Sequence, residues 1–439
     1  MGDVWERVPL ARVIESGRSI SYGVVQPGAH QNDGVPIVRA GDIRHGRVLA
    51  TAPLRVAIEI EAAHSRTRLR GGELLMTLVG TVGQTAIAPP ELAGWNIARA
   101  VGVVPVDPSI GARWVQYALQ DEPVAARIGQ RLNTTVQATL NLNELSSLPI
   151  SLPPVAERNG ITAVLSALDD KIELNRRMAQ TLEEMARALF TSWFVDFDPV
   201  RAKAEGRDTG LPGEIVDLFP DHLVDSPLGP IPAGWTVCPL TEIARMTQKS
   251  VIPGREPGTI WHHFSIPAFD SGRVANLDPG ESIKSGKYVV PADSVLLSKL
   301  NPSTPRVWLV DVTQPAKSIC STEFLPFRPV RAAERSYLFE LLRSEPVEVA
   351  VQSRVTGSTG SRQRVLPSGA AGIPVIGPPE LLRARFSEVA EPWHLRVHSI
   401  ARESAELTQL RDALLPKLVS GAIRVDDPLA FLERMEAVG

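Results

Sequence analysis

WERVPL, at Trp5 to Leu10, returns as WTVCPL at Trp235 to Leu240, and it does not return alone. GELLMTLVGTVGQTAIAPP, from Gly72, parallels DSVLLSKLNPSTPRVWLVD, from Asp293. RLNTTVQATLNLNELSSLPISLPP, from Arg131, parallels RVTGSTGSRQRVLPSGAAGIPVIGPP, from Arg354. The chain therefore rehearses itself at an offset of about 220 to 230 residues, a period too long for a solenoid and right for two whole modules. Two like modules in tandem imply an internal pseudo-two-fold arrangement.

Within each copy, short β-branched runs (VPIVRA, TAIAPP, AVGVVPV; SVLLS, RVWLVDV) alternate with Gly, Pro and Asn breaks, the pattern of a sheet with short helices. WVQYALQDEPVAARIG and SYLFELLRSEPVEVAVQ are the helical stretches. After each double proline (Pro153-Pro154 and Pro378-Pro379) a long helical pattern begins. In the first, Ile161, Leu168, Asn175, Leu182 and Leu189 recur every seven residues, with Val164, Lys171, Met178, Met185 and Ser192 at the companion position. In the second, Phe386, Trp393, Ile400, Leu407 and Leu414 keep the same step. Equal length and period make the two helices each other's expected partners along an apolar seam with polar interruptions. Such helices would span roughly 55 to 60 Å at about 1.5 Å per residue, longer than an ordinary domain core requires. Pro392 should kink the second helix or mark a late start.

At 439 residues the chain suggests two or three domains. No apolar run reaches the ~18 residues of a membrane span, and MGDVWERVPL lacks the basic and apolar regions of a signal peptide, so a cytoplasmic location is expected. Cys238 and Cys320 are too few for a disulfide framework or a cysteine zinc site and read as core thiols. The formal net charge of -3 argues against binding to nucleic acid through the overall field. Its distribution is more telling. Lys+Arg against Asp+Glu is 14 to 13 over residues 1–154 and 16 to 12 over 233–379, but 3 to 8 over 196–232 and 8 to 10 over 380–439. A polyanion would meet the two large modules. The expected division is a module over 1–154, a spacer helix over 155–195, an acidic Pro/Gly-rich linker over 196–232, a second module over 233–379, a second spacer helix over 380–422, and a tail over 423–439.

LPPVAERNGITAVLSALDDKIELNRRMAQTLEEMARALFTSWFVDFDPVRAKAEG, IPAGW (231–235), SKLNPSTPRVWL, STEF (321–324), TGSTGSRQRV and LLPKLVSGAIRV are spread along the chain, and the likeness they carry extends over nearly its whole length. In combination they closely resemble the specificity (S, HsdS) subunit of type I restriction-modification systems. The resemblance implies an α+β fold, with two similar α/β target recognition domains in a pseudo-two-fold arrangement separated by two long antiparallel coiled-coil helices. It implies that each domain reads one half of a bipartite sequence on double-stranded DNA. It further implies two methylation (M) subunits as partners in an adenine methyltransferase, and restriction (R) subunits in the full endonuclease. S-adenosylmethionine, ATP and Mg would reside on those partners, with no cofactor or metal on this chain. The helices would act as a ruler, since two base-reading modules reinforce each other only when their spacing matches that of the half-sites.

Bases are read by Arg, Lys, Asn, Gln and short hydroxyls, while phosphates are held by backbone N–H groups and basic side chains. Two segments per module concentrate these types. In the first they supply Thr77, Gly80, Thr81, Gly83 and Gln84, then Arg131, Asn133, Thr134, Thr135 and Gln137. In the second they supply Lys299, Asn301, Ser303, Thr304 and Arg306, then Arg354, Thr356, Ser358, Thr359, Ser361, Arg362, Gln363 and Arg364. The copies diverge most here, as expected of modules reading different half-sites. No catalytic residue stands out. Asn301-Pro302-Ser303-Thr304 lacks the second proline and the aromatic of an adenine methyltransferase motif, and no G-x-x-x-x-G-K-[ST] phosphate loop occurs. Glu281 and Lys284 have the common E-x-K shape, and His394 with His398 lie four apart without an H-E-x-x-H context. A stand-alone DNA-modifying or cleaving enzyme, or an adaptor binding only protein, are the rival readings.

Overall fold

The computed structural model describes residues 5–132, 139–312, 317–356, 363–425, 427–428 and 430–431. The chain divides into two compact units, Met1–Lys171 with Leu407–Gly439, and Ile172–Glu406. Both divisions fall inside long helices, Val155–Phe194 and Glu380–Val419, each of 40 residues. The second starts well before Pro392, so this proline does not mark a late start. It occupies an exposed position, while Phe386, Ala390 and His394 around it face inward. The missing N–H therefore falls on the outer side of the helix, and burial on the inner side carries the helix through.

In the first unit a four-stranded antiparallel sheet has the order Ser21–Tyr22, Val101–Val104, Leu74–Thr77, Thr85–Ile87. Leu74–Thr77 and Val101–Val104 are buried at every position, which is why their sequences are continuous apolar runs rather than alternating ones. The strand Glu6–Pro9 pairs antiparallel with Pro149–Leu152, tying the start of the module to its end. Two prolines then stop that ladder, and the long helix begins at Val155. Its residues Ile161, Val164, Leu165 and Leu168 share a core with Trp114, Tyr117, Leu145 and Ile150, and with Leu414, Leu415 and Leu418 of the second helix. Arg411 pairs with Asp169 at 3.0 Å and Arg424 with Glu157 at 2.7 Å, so the two chain directions oppose one another here.

The second unit repeats this plan. Its four strands run Ala244–Met246, Phe324–Pro329, Val295–Ser298, Val307–Leu309, again antiparallel and in the matching order. Thr236–Pro239 pairs with Pro374–Gly377, so the recurring WERVPL/WTVCPL motif is the strand that closes each module. Each unit also holds a parallel strand pair among the described residues, Val35–Val38 with Asn96–Ile97 and Ile260–Phe264 with Ser318–Cys320. The last turns of the first long helix (Ala186, Phe190, Trp193, Phe194) bury against Leu382, Phe386 and Ala390 of the second.

Several elements differ from the reading of the sequence. The two expected module helices are each split, into Ala112–Ala118 with Glu122–Leu132 and Arg335–Arg343 with Glu345–Gln352. Pro123 and Pro346 lie in the first turn of the second member, where the absent N–H costs nothing, but could not lie inside one continuous helix. Segment 196–232 is more than a tether. Phe197, Val200, Ile215, Phe219 and Ile231 are buried with Trp193 and Trp235 in the core of the second unit, while its acidic residues stay mostly at the surface. Beyond the second long helix, Val425 and Phe431 likewise enter the core of the first unit. Of the seam positions, Ile161, Leu168, Asn175, Phe386, Ile400 and Leu414 are buried, and Leu182, Leu189, Trp393 and Leu407 are partly so. At the companion position Met185 is exposed, so the seam is narrower than its sequence pattern. Both cysteines are buried.

Candidate nucleic-acid interface

In each unit a loop joins one central strand to the edge strand beside it, and the residue that closes the central strand locks it. Thr77 is completely buried; its hydroxyl donates to the carbonyl of Thr81 and accepts from the backbone N–H of Gln84 at 2.9 Å. Gly80 and Gly83 take φ of 83° and 93°, a region that an L side chain would resist, and so allow the tight return. Thr81 and Gln84 are left exposed. The backbone N–H of Leu140 donates to the carbonyl of Leu78 at 2.9 Å, and Val79 bridges to Thr139. The chain emerging from the second candidate segment thus lies against the first. Arg131 belongs to the helix Glu122–Leu132. Asn133, Thr134, Thr135 and Gln137 lie outside the described residues.

The second unit makes the same junction with different groups. Ser298 closes the strand, its hydroxyl accepting from the N–H of Leu300 at 3.2 Å. Asn301, at φ 49°, then turns the chain: its carboxamide accepts from Ser303 at 2.8 Å and donates to Thr304 at 3.3 Å. Beside this loop Val355–Thr356 pairs with Arg364–Val365. The two segments are stitched together where the N–H of Asn301 donates to the carbonyl of Gln363 at 3.0 Å and that of Val365 to Lys299 at 3.0 Å. Ser303, Thr304 and Thr356 are exposed. Ser358, Thr359, Ser361 and Arg362 lie outside the described residues.

The structure gives the arginines here partners within the protein. Arg306 holds both oxygens of Asp270, at 2.7 and 2.9 Å, and its side chain is 14% exposed. Arg364 grips the Glu323 carboxylate at 3.1 Å through Nε and 3.2 Å through a terminal nitrogen. Arg354 donates to the carbonyl of Ala350 at 2.8 Å, closing the preceding helix. Exposed hydroxyls and amides therefore make up much of the described outer face, and the arginines brace it. Glu323 and Asp270 are the residues that sequence reasoning missed. A search for groups that attract phosphate passes over carboxylates, and only the STEF motif marked Glu323 at all.

The remaining sequence candidates are structural. His394 is buried between the hydroxyl of Ser336 (2.9 Å) and the carboxylate of Glu340 (3.0 Å), with the Phe339 ring edge-on to it. His398 donates from Nε2 to the carbonyl of Leu309 at 2.8 Å. Burial first, then the nearby Arg335 guanidinium, hold the His398 imidazole down at about 4. Below about pH 6.5 the unfolded chain therefore binds a proton that the folded chain refuses, and stability is lost as pH falls from there toward 4. We expect the second unit to lose about 2 kcal/mol from this group between pH 7 and pH 5. Denaturant unfolding of His398→Gln should show a shallower pH dependence over that window. An equally steep decline would mean that other groups cause it.

Two tandem α+β units of matching sheet order, each with a stitched double loop and each packed on turns of two long helices, define a duplicated α+β architecture. The first part of the chain matches, and most of its length is similar to, the type I restriction-modification specificity (HsdS) subunits. The family model for the type I restriction modification DNA specificity domain matches residues 3–184. The type I restriction enzyme HindI specificity subunit of Haemophilus influenzae is 26% identical over 337 residues, covering 65% of this chain and 71% of that one. The MjaIX specificity subunit of Methanocaldococcus jannaschii is 24% identical over 368 residues, covering 81% and 78%. The crystal structure of the type I restriction-modification S subunit from M. genitalium shares the fold, with a TM-score of 0.57 and 11% identity over 95% of this chain and 97% of that one.

Proposed function

We propose that the chain is the sequence-reading subunit of a type I system, recognising a bipartite target on double-stranded DNA and directing adenine-methylating M subunits, and R subunits where present, to it. The observation that carries this reading is the duplicated loop junction. The same position after the same strand is built twice, from Thr77 to Gln84 and from Ser298 to Arg306, with a conserved frame and unlike side chains. A duplicated frame with divergent polar tips is what reading two unlike half-sites requires. The chain supplies specificity rather than catalysis. S-adenosylmethionine, ATP and Mg belong on the partner subunits, and the complex works on DNA in the cytoplasm. No helix among the described residues is long and apolar enough to cross a membrane.

Mapping methylated adenines genome-wide in cells with and without this chain tests the proposal. The expected result is one bipartite motif that disappears on deletion, while the purified chain alone neither methylates nor cuts DNA. An unaltered map, or turnover by the isolated chain, would overturn it.

A further inference from the structure

The two candidate segments of the second unit, 298–306 and 354–364, converge on Glu323, a residue with no expected role in binding. Its carboxylate takes two N–H groups of Arg364, on the returning strand of the hairpin. Its own carbonyl accepts from the N–H of Lys299, at the root of the loop, at 2.9 Å. Its N–H is anchored in turn by the Ser321 hydroxyl at 3.3 Å, just before the buried strand Phe324–Pro329. Glu323 therefore ties both segments to the central sheet, and the ladder contacts of Asn301 with Gln363 and Lys299 with Val365 lie beside it.

A carboxylate facing a polyanion repels it, so it is poorly suited to touch phosphate. Holding an arginine in a two-pronged grip is what it does well, because the planar fork fixes orientation as well as distance. We propose that Glu323 is a positioning residue that sets the half-site specificity of the second unit: through Arg364 and the Lys299 backbone it holds the loop 298–306 and the strand pair Val355–Thr356 with Arg364–Val365 in the one register that aims the exposed Ser303, Thr304 and Thr356. This rests on the DNA-reading function proposed above. Base discrimination depends on donors placed to within about 0.5 Å, whereas attraction to phosphates tolerates looser placement. Loss of the clamp should therefore relax reading more than binding. In the first unit the buried hydroxyl of Thr77 holds the corresponding loop, by its bonds to Thr81 and Gln84.

The test uses the full chain in the assembled methyltransferase, with methylated-adenine maps of the host genome as the readout. Glu323→Gln keeps the size but loses the charge that grips Arg364. It should raise methylation of sites with one mismatch in one half-site by about 10-fold, leave the other half-site as selective as before, and leave the melting temperature of the chain unchanged. Arg364→Ala should relax the same half-site, and Thr77→Val the opposite one. Should Glu323→Gln and Arg364→Ala leave both half-sites as selective as in the wild type, or weaken both equally, the positioning role is overturned while two-module reading stands. A wild-type map lacking two defined half-sites would overturn that reading, and this proposal with it.

Discussion

Phe386→Ala is expected to destabilise the second unit by about 3–5 kcal/mol, the range for removing a fully buried aromatic ring. Phe386 has no exposed surface and is ringed by Phe190 (5.6 Å between centroids), Trp193 (6.0 Å), Phe194 (5.4 Å) and Tyr337 (6.4 Å). Three of these neighbours lie on the first long helix and one on the module helix Arg335–Arg343, so the cavity would open where three helices meet. Rings already packed edge to face cannot collapse into the space without giving up their own geometry, which places the cost toward the upper end. None of these side chains belongs to the core of the first unit. Calorimetry should therefore show one transition moved to lower temperature and one nearly in place. A single transition with both units lost together would show that the cores do not unfold separately, and an unshifted profile would contradict the central place given to this ring.

The other large effect concerns the helices as a spacer. Adding one heptad to each, at the unit divisions after Lys171 and after Glu406, lengthens each by about 10 Å while turning its face by only about 20°. If the paired helices set the separation of the two reading sites, the target with the original gap should cease to be methylated and the preferred gap should grow by about three base pairs, at ~3.4 Å each. Three base pairs also rotate the second half-site by roughly 100° around a duplex of about 10.5 base pairs per turn. Total activity should accordingly fall as well as shift, because DNA twist must absorb the difference. The bases of each half-site should stay the same. Methylation maps that keep the old gap would end the spacer role.

How much of this was legible beforehand differs sharply between frame and site. The repeated WERVPL/WTVCPL motif, read only as a recurrence, proved to be the closing strand of each module. The seven-residue step picked out Ile161, Leu168, Phe386, Ile400 and Leu414, all buried. It also picked out Asn175, a polar residue buried with no hydrogen-bond partner for its carboxamide among the described residues. The packing of segment 196–232 was not legible, because charge and proline counts record what is exposed, whereas five apolar side chains within it decide where it packs.

By itself, the sequence determined what repeats and what is periodic: two modules, their sheets, and two helices with matching faces, because burial leaves a regular pattern at spacings of two, three or four, and seven residues. Only the tertiary structure decided which polar groups are already occupied. Arg306 is held by Asp270 and Arg364 by Glu323, across 36 and 41 residues of chain. Such pairings follow from how strands are brought side by side, and no local pattern encodes them.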